Sequence, residues 1–78
     1  MRILDRDSDR ALSHVTLYLS KAEAAELRDS IGAVLKDPTK HEHVPGDGHK
    51  KEIAVCVYDS AELKSFDERS RRLIEKDV

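Results

Sequence analysis

The sequence predicts an α+β fold: a small, three- to four-stranded, mainly antiparallel sheet with one long helix packed on a face and a short C-terminal helix, roughly in the order ββαββα. Two observations support this class. Between residues 13 and 58 the apolar period changes from two to about three and a half and back to two. The chain has 78 residues and no linker-like tract, so residues 1–78 are expected to form a single domain.

Two strands are expected before the long helix. Residues 2–5 predict a short edge strand, which a polar turn over 6–10 follows. Residues 14–19 predict the first core strand, because Val15, Leu17 and Leu19 alternate with more polar neighbours.

The long helix is predicted over residues 21–36. Ser20 and Glu23 have the spacing of a capping box, and Asp37 precedes a proline, which disfavours further helix. Gly32 lowers helix propensity and indicates close approach of a strand or a partner helix. One face is expected to turn inward, comprising Ala24, Leu27, Ile31, Val34 and Leu35.

A hairpin is predicted after the helix. Residues 41–44 form its short first strand, a Pro-Gly-Asp-Gly turn follows, and residues 52–58 form its second strand. The second strand is apolar on both faces, which predicts an interior position in the sheet. Cys56 is therefore expected to be a small, buried and inert residue.

The C-terminal helix is predicted from a second capping signature that begins at Ser65. An earlier signature, from Asp59 to Glu62, predicts a single turn. The inward face of the helix is expected to comprise Phe66, Ser70, Leu73 and Ile74.

Composition excludes several classes of protein. Fourteen basic residues face sixteen acidic residues, with a net charge of −2, so no basic excess favours nucleic acid. Only three aromatic residues are present, and no apolar run reaches the length of a membrane span. The charged N-terminus and the single cysteine predict a cytoplasmic protein.

The histidines are the one cluster that predicts a ligand. His41 and His43 share one face of a strand, and His49 lies opposite His43 if the turn spans residues 44–48. The three imidazoles are candidate ligands for zinc or a similar divalent transition metal, with Asp47, Glu42 or water as the fourth group. The alternative is a solvated hairpin with ordinary surface histidines.

The functional prediction is a non-enzymatic cytosolic protein-interaction or regulatory module that forms a homodimer. Such a small core gains from an oligomer partner, and Asp9, Ser13 and His14 do not constitute a catalytic triad by local proximity. An accessory subunit and an antitoxin-like or immunity-like neutraliser fit equally well. The alternatives are the metal-binding protein and a nucleic-acid accessory factor that uses Lys50, Lys51, Arg69, Arg71 and Arg72.

Overall fold

The computed structural model of the protein describes residues 1–46, 48 and 50–78. The predicted α+β class and the order ββαββα are confirmed. The strands form two antiparallel pairs, β1 with β2 and β3 with β4, instead of one sheet of three or four strands. The elements are β1 (Leu4–Asp5), β2 (Arg10–Ala11), α1 (Lys21–Lys36), β3 (His41–Pro45), β4 (Glu52–Cys56) and α2 (Glu68–Lys76).

The chain divides into two compact units. One comprises residues 1–17 with 59–78, and the other comprises residues 18–58. Neither helix in the described part of the chain is long and apolar enough to cross a membrane.

The strand predicted over residues 14–19 is wrong. The backbone between β2 and α1 is irregular, and Val15 and Leu17 are 53% and 47% exposed. An alternating pattern produces a strand only where a second strand accepts its backbone hydrogen bonds. Among the described residues, no strand pairs with this segment.

Helix α1 has the bounds that the sequence predicts. The Ser20 hydroxyl accepts from the Glu23 amide at 3.2 Å, and the Glu23 carboxylate accepts from the Ser20 amide at 2.9 Å, so the capping box is confirmed. The helix packs on β3 and β4. Val34 of the helix and Val44 of β3 are each 2% exposed and form the centre of this unit.

The inward face predicted for α1 is only partly right. Leu27 and Val34 are covered, but Ile31 and Leu35 are 45% and 66% exposed. Two strands span only about 5 Å between their axes, whereas a helix with its side chains is about 10 Å wide. A two-stranded pair therefore covers a narrow strip of the helix and leaves the adjoining apolar stripe in solvent.

The N-cap of helix α2 lies two residues later than the sequence predicts. Asp67, not Ser65, is the N-cap residue, and its carboxylate accepts from the Ser70 amide at 2.8 Å. Hydrogen bonding from the Ser70 side chain, and then from the Ser70 amide, holds the pKa of Asp67 below its ordinary value. The predicted inward face is confirmed for Leu73 and Ile74, which are buried. Ser70 is half-buried, and Phe66, also half-buried, lies before the helix instead of on it.

Arg2 closes the other end of α2. Its Nε donates to the carbonyl oxygens of Leu73 at 3.0 Å and Ile74 at 3.1 Å. These carbonyls lie in the last turn, where an α-helix lacks intrahelical donors and where a cation suits the helix dipole. The N-terminus of the chain thus stabilises the C-terminal helix.

Candidate functional site

The β3–β4 hairpin has two faces of opposite character. The register pairs His41 with Cys56 and His43 with Ala54. Side chains alternate across the strands, so the paired positions share a face. The face toward α1 carries Val44, Ile53 and Val55, which are buried or half-buried. The hairpin outer face carries His41, His43, Glu52, Ala54 and Cys56, all of which are exposed.

The two histidines of the hairpin outer face touch each other. Their ring centroids are 4.9 Å apart, and the rings are inclined by 76° in an edge-to-face arrangement. Nδ1 of His43 also contacts a carboxylate oxygen of Glu52. This contact holds the His43 ring from one nitrogen, so that Nε2 is the nitrogen left to bind a ligand.

Cys56 is exposed, so its predicted burial is wrong. The prediction assumed that β4 lies between two other strands with both faces covered. Within the described part of the chain β4 pairs only with β3, and helix α1 covers one face. Strand β4 also ends at Cys56 instead of residue 58. The thiol therefore shares the hairpin outer face with the imidazole of His41.

The structure describes two of the three histidines that the sequence predicts as metal ligands. His41 and His43 lie together as predicted, while His49 and Asp47 fall outside the described residues. Glu42 is half-buried and belongs to the opposite face of β3. Among the residues that the structure describes, no three His, Cys, Asp or Glu side chains are positioned, as they stand, to hold a metal ion.

The basic residues proposed for nucleic acid divide between the two units. Lys50 and Lys51 belong to the unit of residues 18–58, and Arg71 and Arg72 are exposed on α2 in the other. Arg69 has a structural role. Its Nε donates to the Asp9 carboxylate at 2.6 Å, and its Nη1 donates to the Val78 carbonyl at 2.6 Å.

The outward side of α1 is the second candidate surface. Ile31 and Leu35 are exposed there, one helical turn apart. Nothing lies within 4 Å of the Cβ position that a side chain at Gly32 would occupy. Among the residues that the structure describes, none therefore makes the close approach to a strand that the sequence predicts at this glycine. An open depression of about 420 Å³ follows this part of the helix, lined by Arg28, Asp29, Gly32, Ala33 and Lys36.

The sequence did not predict the register of the hairpin, which decides the partner of each histidine. The His-x-His spacing identifies two members of the cluster, but the partner of each depends on the turn. The Gly46 amide donates to the Lys51 carbonyl at 2.8 Å, which places Pro45 opposite Glu52 and so His41 opposite Cys56. A shift of one residue would place Cys56 on the other face.

No protein-family model matches the chain, and neither a curated protein nor a solved structure is similar to it.

Proposed function

We propose that the protein is a small, non-enzymatic interaction module of the cytoplasm that forms a homodimer through the outward side of α1. One observation carries the proposal: this helix leaves Ile31 and Leu35, two large aliphatic side chains, 45% and 66% exposed. Ala24, Arg28, Ile31 and Leu35 recur at spacings of four, three and four residues, which is the spacing of a helix–helix seam. We call these four residues the α1 seam.

A second copy of α1 is the occupant that fits the α1 seam. The open space at Gly32 allows another helix backbone to approach closely. The adjoining depression offers room for side chains of the size of Leu35. Contact between two copies of one surface gives a closed, two-fold symmetric dimer, the commonest form of homo-oligomer.

Sedimentation equilibrium over a range of protein concentrations tests the proposal. We expect a monomer–dimer equilibrium for the native chain, and a dissociation constant at least about tenfold higher for Leu35→Glu, because the variant buries a charge in the seam. Val15→Glu is the matched control, since Val15 is an exposed aliphatic residue outside α1. A native chain that stays monomeric, or equal effects of both variants, would refute the α1 dimer.

A further inference from the structure

We propose that His41, His43 and Cys56 form a zinc site on the hairpin outer face, with Glu52 as the group that orients His43. The proposal does not depend on the α1 dimer. It replaces His49 with Cys56 as the third ligand, and it rests on the β3–β4 register, which brings an exposed thiol opposite an imidazole.

The backbone places the three side chains at neighbouring positions on one face of the hairpin. Directly opposed residues of an antiparallel pair have Cβ atoms about 4.5–5.5 Å apart, and this is the relation of His41 to Cys56. The rings of His41 and His43 are 4.9 Å apart between centroids. Ala54 lies opposite His43, so the position between Glu52 and Cys56 on this face carries only a methyl group.

Rotation of the side chains completes the site. As they stand, the three groups do not converge on one point, but all are exposed. Exposed side chains change rotamer within nanoseconds, whereas the strand register is fixed by the backbone hydrogen bonds. Zinc requires nitrogen ligands at about 2.0–2.1 Å and sulfur at about 2.3 Å, which side chains of neighbouring strand positions can supply.

Glu52 supplies the outer contact that zinc-bound histidines usually have. A metal-binding imidazole commonly donates its second N–H to a carboxylate, which fixes the ring and raises its basicity as a ligand. The contact from Nδ1 of His43 to Glu52 is of this kind. It leaves Nε2 for the metal and makes Glu52 a positioning residue.

The chemistry of the ligands selects the ion. Two imidazoles and a thiolate form a nitrogen–sulfur set, which favours zinc over the oxygen-seeking ions magnesium and calcium. Cys56 binds as the thiolate, so its proton passes to the buffer when the metal binds. Three protein ligands leave a fourth tetrahedral position for water, or for a ligand contributed by another molecule.

Zinc titration of the intact chain under a metal-free reductant tests the site, with cobalt as a spectroscopic substitute. We expect one zinc per chain, and a thiolate-to-cobalt charge-transfer band in the near ultraviolet. Cys56→Ser should abolish that band and lower zinc affinity at least about tenfold. Glu52→Gln should lower affinity about 10- to 100-fold while retaining the band, because the orienting carboxylate is not a ligand.

Two histidine variants serve as matched controls. His14→Gln removes a histidine of the other unit and should leave zinc affinity unchanged. His49→Gln distinguishes the present proposal from the set of three histidines that the sequence predicts. Lost affinity in His49→Gln with unchanged affinity in Cys56→Ser would overturn the role of Cys56.

A variant that adds a zinc ligand provides a test that does not depend on loss of zinc affinity. Ala54→His places a third imidazole directly opposite His43, at the open position of the site. The variant should bind zinc more tightly than the native chain and should bind cobalt with the tetrahedral spectrum of a closed site. Unchanged zinc affinity in Ala54→His would show that the hairpin outer face does not assemble around the ion.

Discussion

The two helices show that apolar content and burial are separate properties. Helix α1 is the more apolar, yet only Val34 among its residues is buried, and it leaves Ile31 and Leu35 exposed. Helix α2 is highly charged, yet it buries both of its large aliphatic residues, Leu73 and Ile74. A helix buries only the strip that another element covers, so the uncovered strip of α1 is the surface available to a partner.

The same substitution on each helix should separate these roles most clearly. Leu73→Ala should lower the free energy of unfolding by about 2–5 kcal/mol, because it removes a buried side chain and leaves a cavity. Leu35→Ala should change it by about 0.5 kcal/mol or less in the monomer. Urea unfolding followed by circular dichroism, at a concentration below the dimer dissociation constant, measures both. Equal losses would contradict the assignment of Leu35 to an uncovered surface.

Two arginines, one that contacts the end of α2 and one on α1, should also differ in their contribution to stability. Arg2→Ala should destabilise the protein by about 1–2 kcal/mol, since the part-buried guanidinium satisfies two carbonyls at the end of α2. Arg28→Ala is the control in the monomer, because Arg28 lies on α1, is exposed and pairs with its neighbour Asp29. Its effect should stay within about 0.5 kcal/mol. Thermal unfolding of the two variants, at a concentration below the dimer dissociation constant, gives the comparison.

The N-cap of α1 should have a smaller effect. Ser20→Ala removes the hydroxyl that accepts from the Glu23 amide and should destabilise by about 1 kcal/mol. Ser20→Asp keeps an acceptor at the same position and should recover most of that loss. Chemical unfolding at pH 7 measures both variants, and a Ser20→Asp variant as unstable as Ser20→Ala would show that the cap does not act through its acceptor.

The sequence predicts features that depend on neighbouring residues, such as helix caps. It does not predict which strands pair with each other. The capping box of Ser20 and Glu23 lies within four residues, so it fixes the start of α1 without reference to the rest of the chain. The strand over residues 14–19 needs a partner, and its pattern cannot say whether one is present. Cys56 shows the same limit, because alternating apolar residues predict two faces but not which face is covered. The His41–His43 contact was readable from spacing, whereas their proximity to Cys56 depended on the register.

Acid should weaken the N-cap of α2, because its acceptor, the Asp67 carboxylate, can be protonated. The Ser20 hydroxyl that caps α1 carries no charge to lose. Hydrogen bonds from Ser70 hold the pKa of Asp67 below its ordinary value of 3.8. A carboxyl whose folded pKa is depressed stabilises the fold fully above its unfolded pKa, and this contribution is lost as the pH falls through the folded pKa. Stability contributed by Asp67 should therefore be complete near pH 5 and decline below a pH of about 3.8.

Asp67→Asn isolates this contribution, because asparagine is an N-cap acceptor that does not titrate. Asp5 and Asp37 also have lowered pKa values, through hydrogen bonds from Ser8 and Thr39 respectively, so the native chain loses stability in acid at these positions as well. The difference in unfolding free energy between the native chain and Asp67→Asn, measured from pH 6 to pH 3, cancels the other two. As the pH falls, the native chain should lose more unfolding free energy than Asp67→Asn does. A difference that stays constant across this range would show that the Asp67 carboxylate does not cap α2 through its charge.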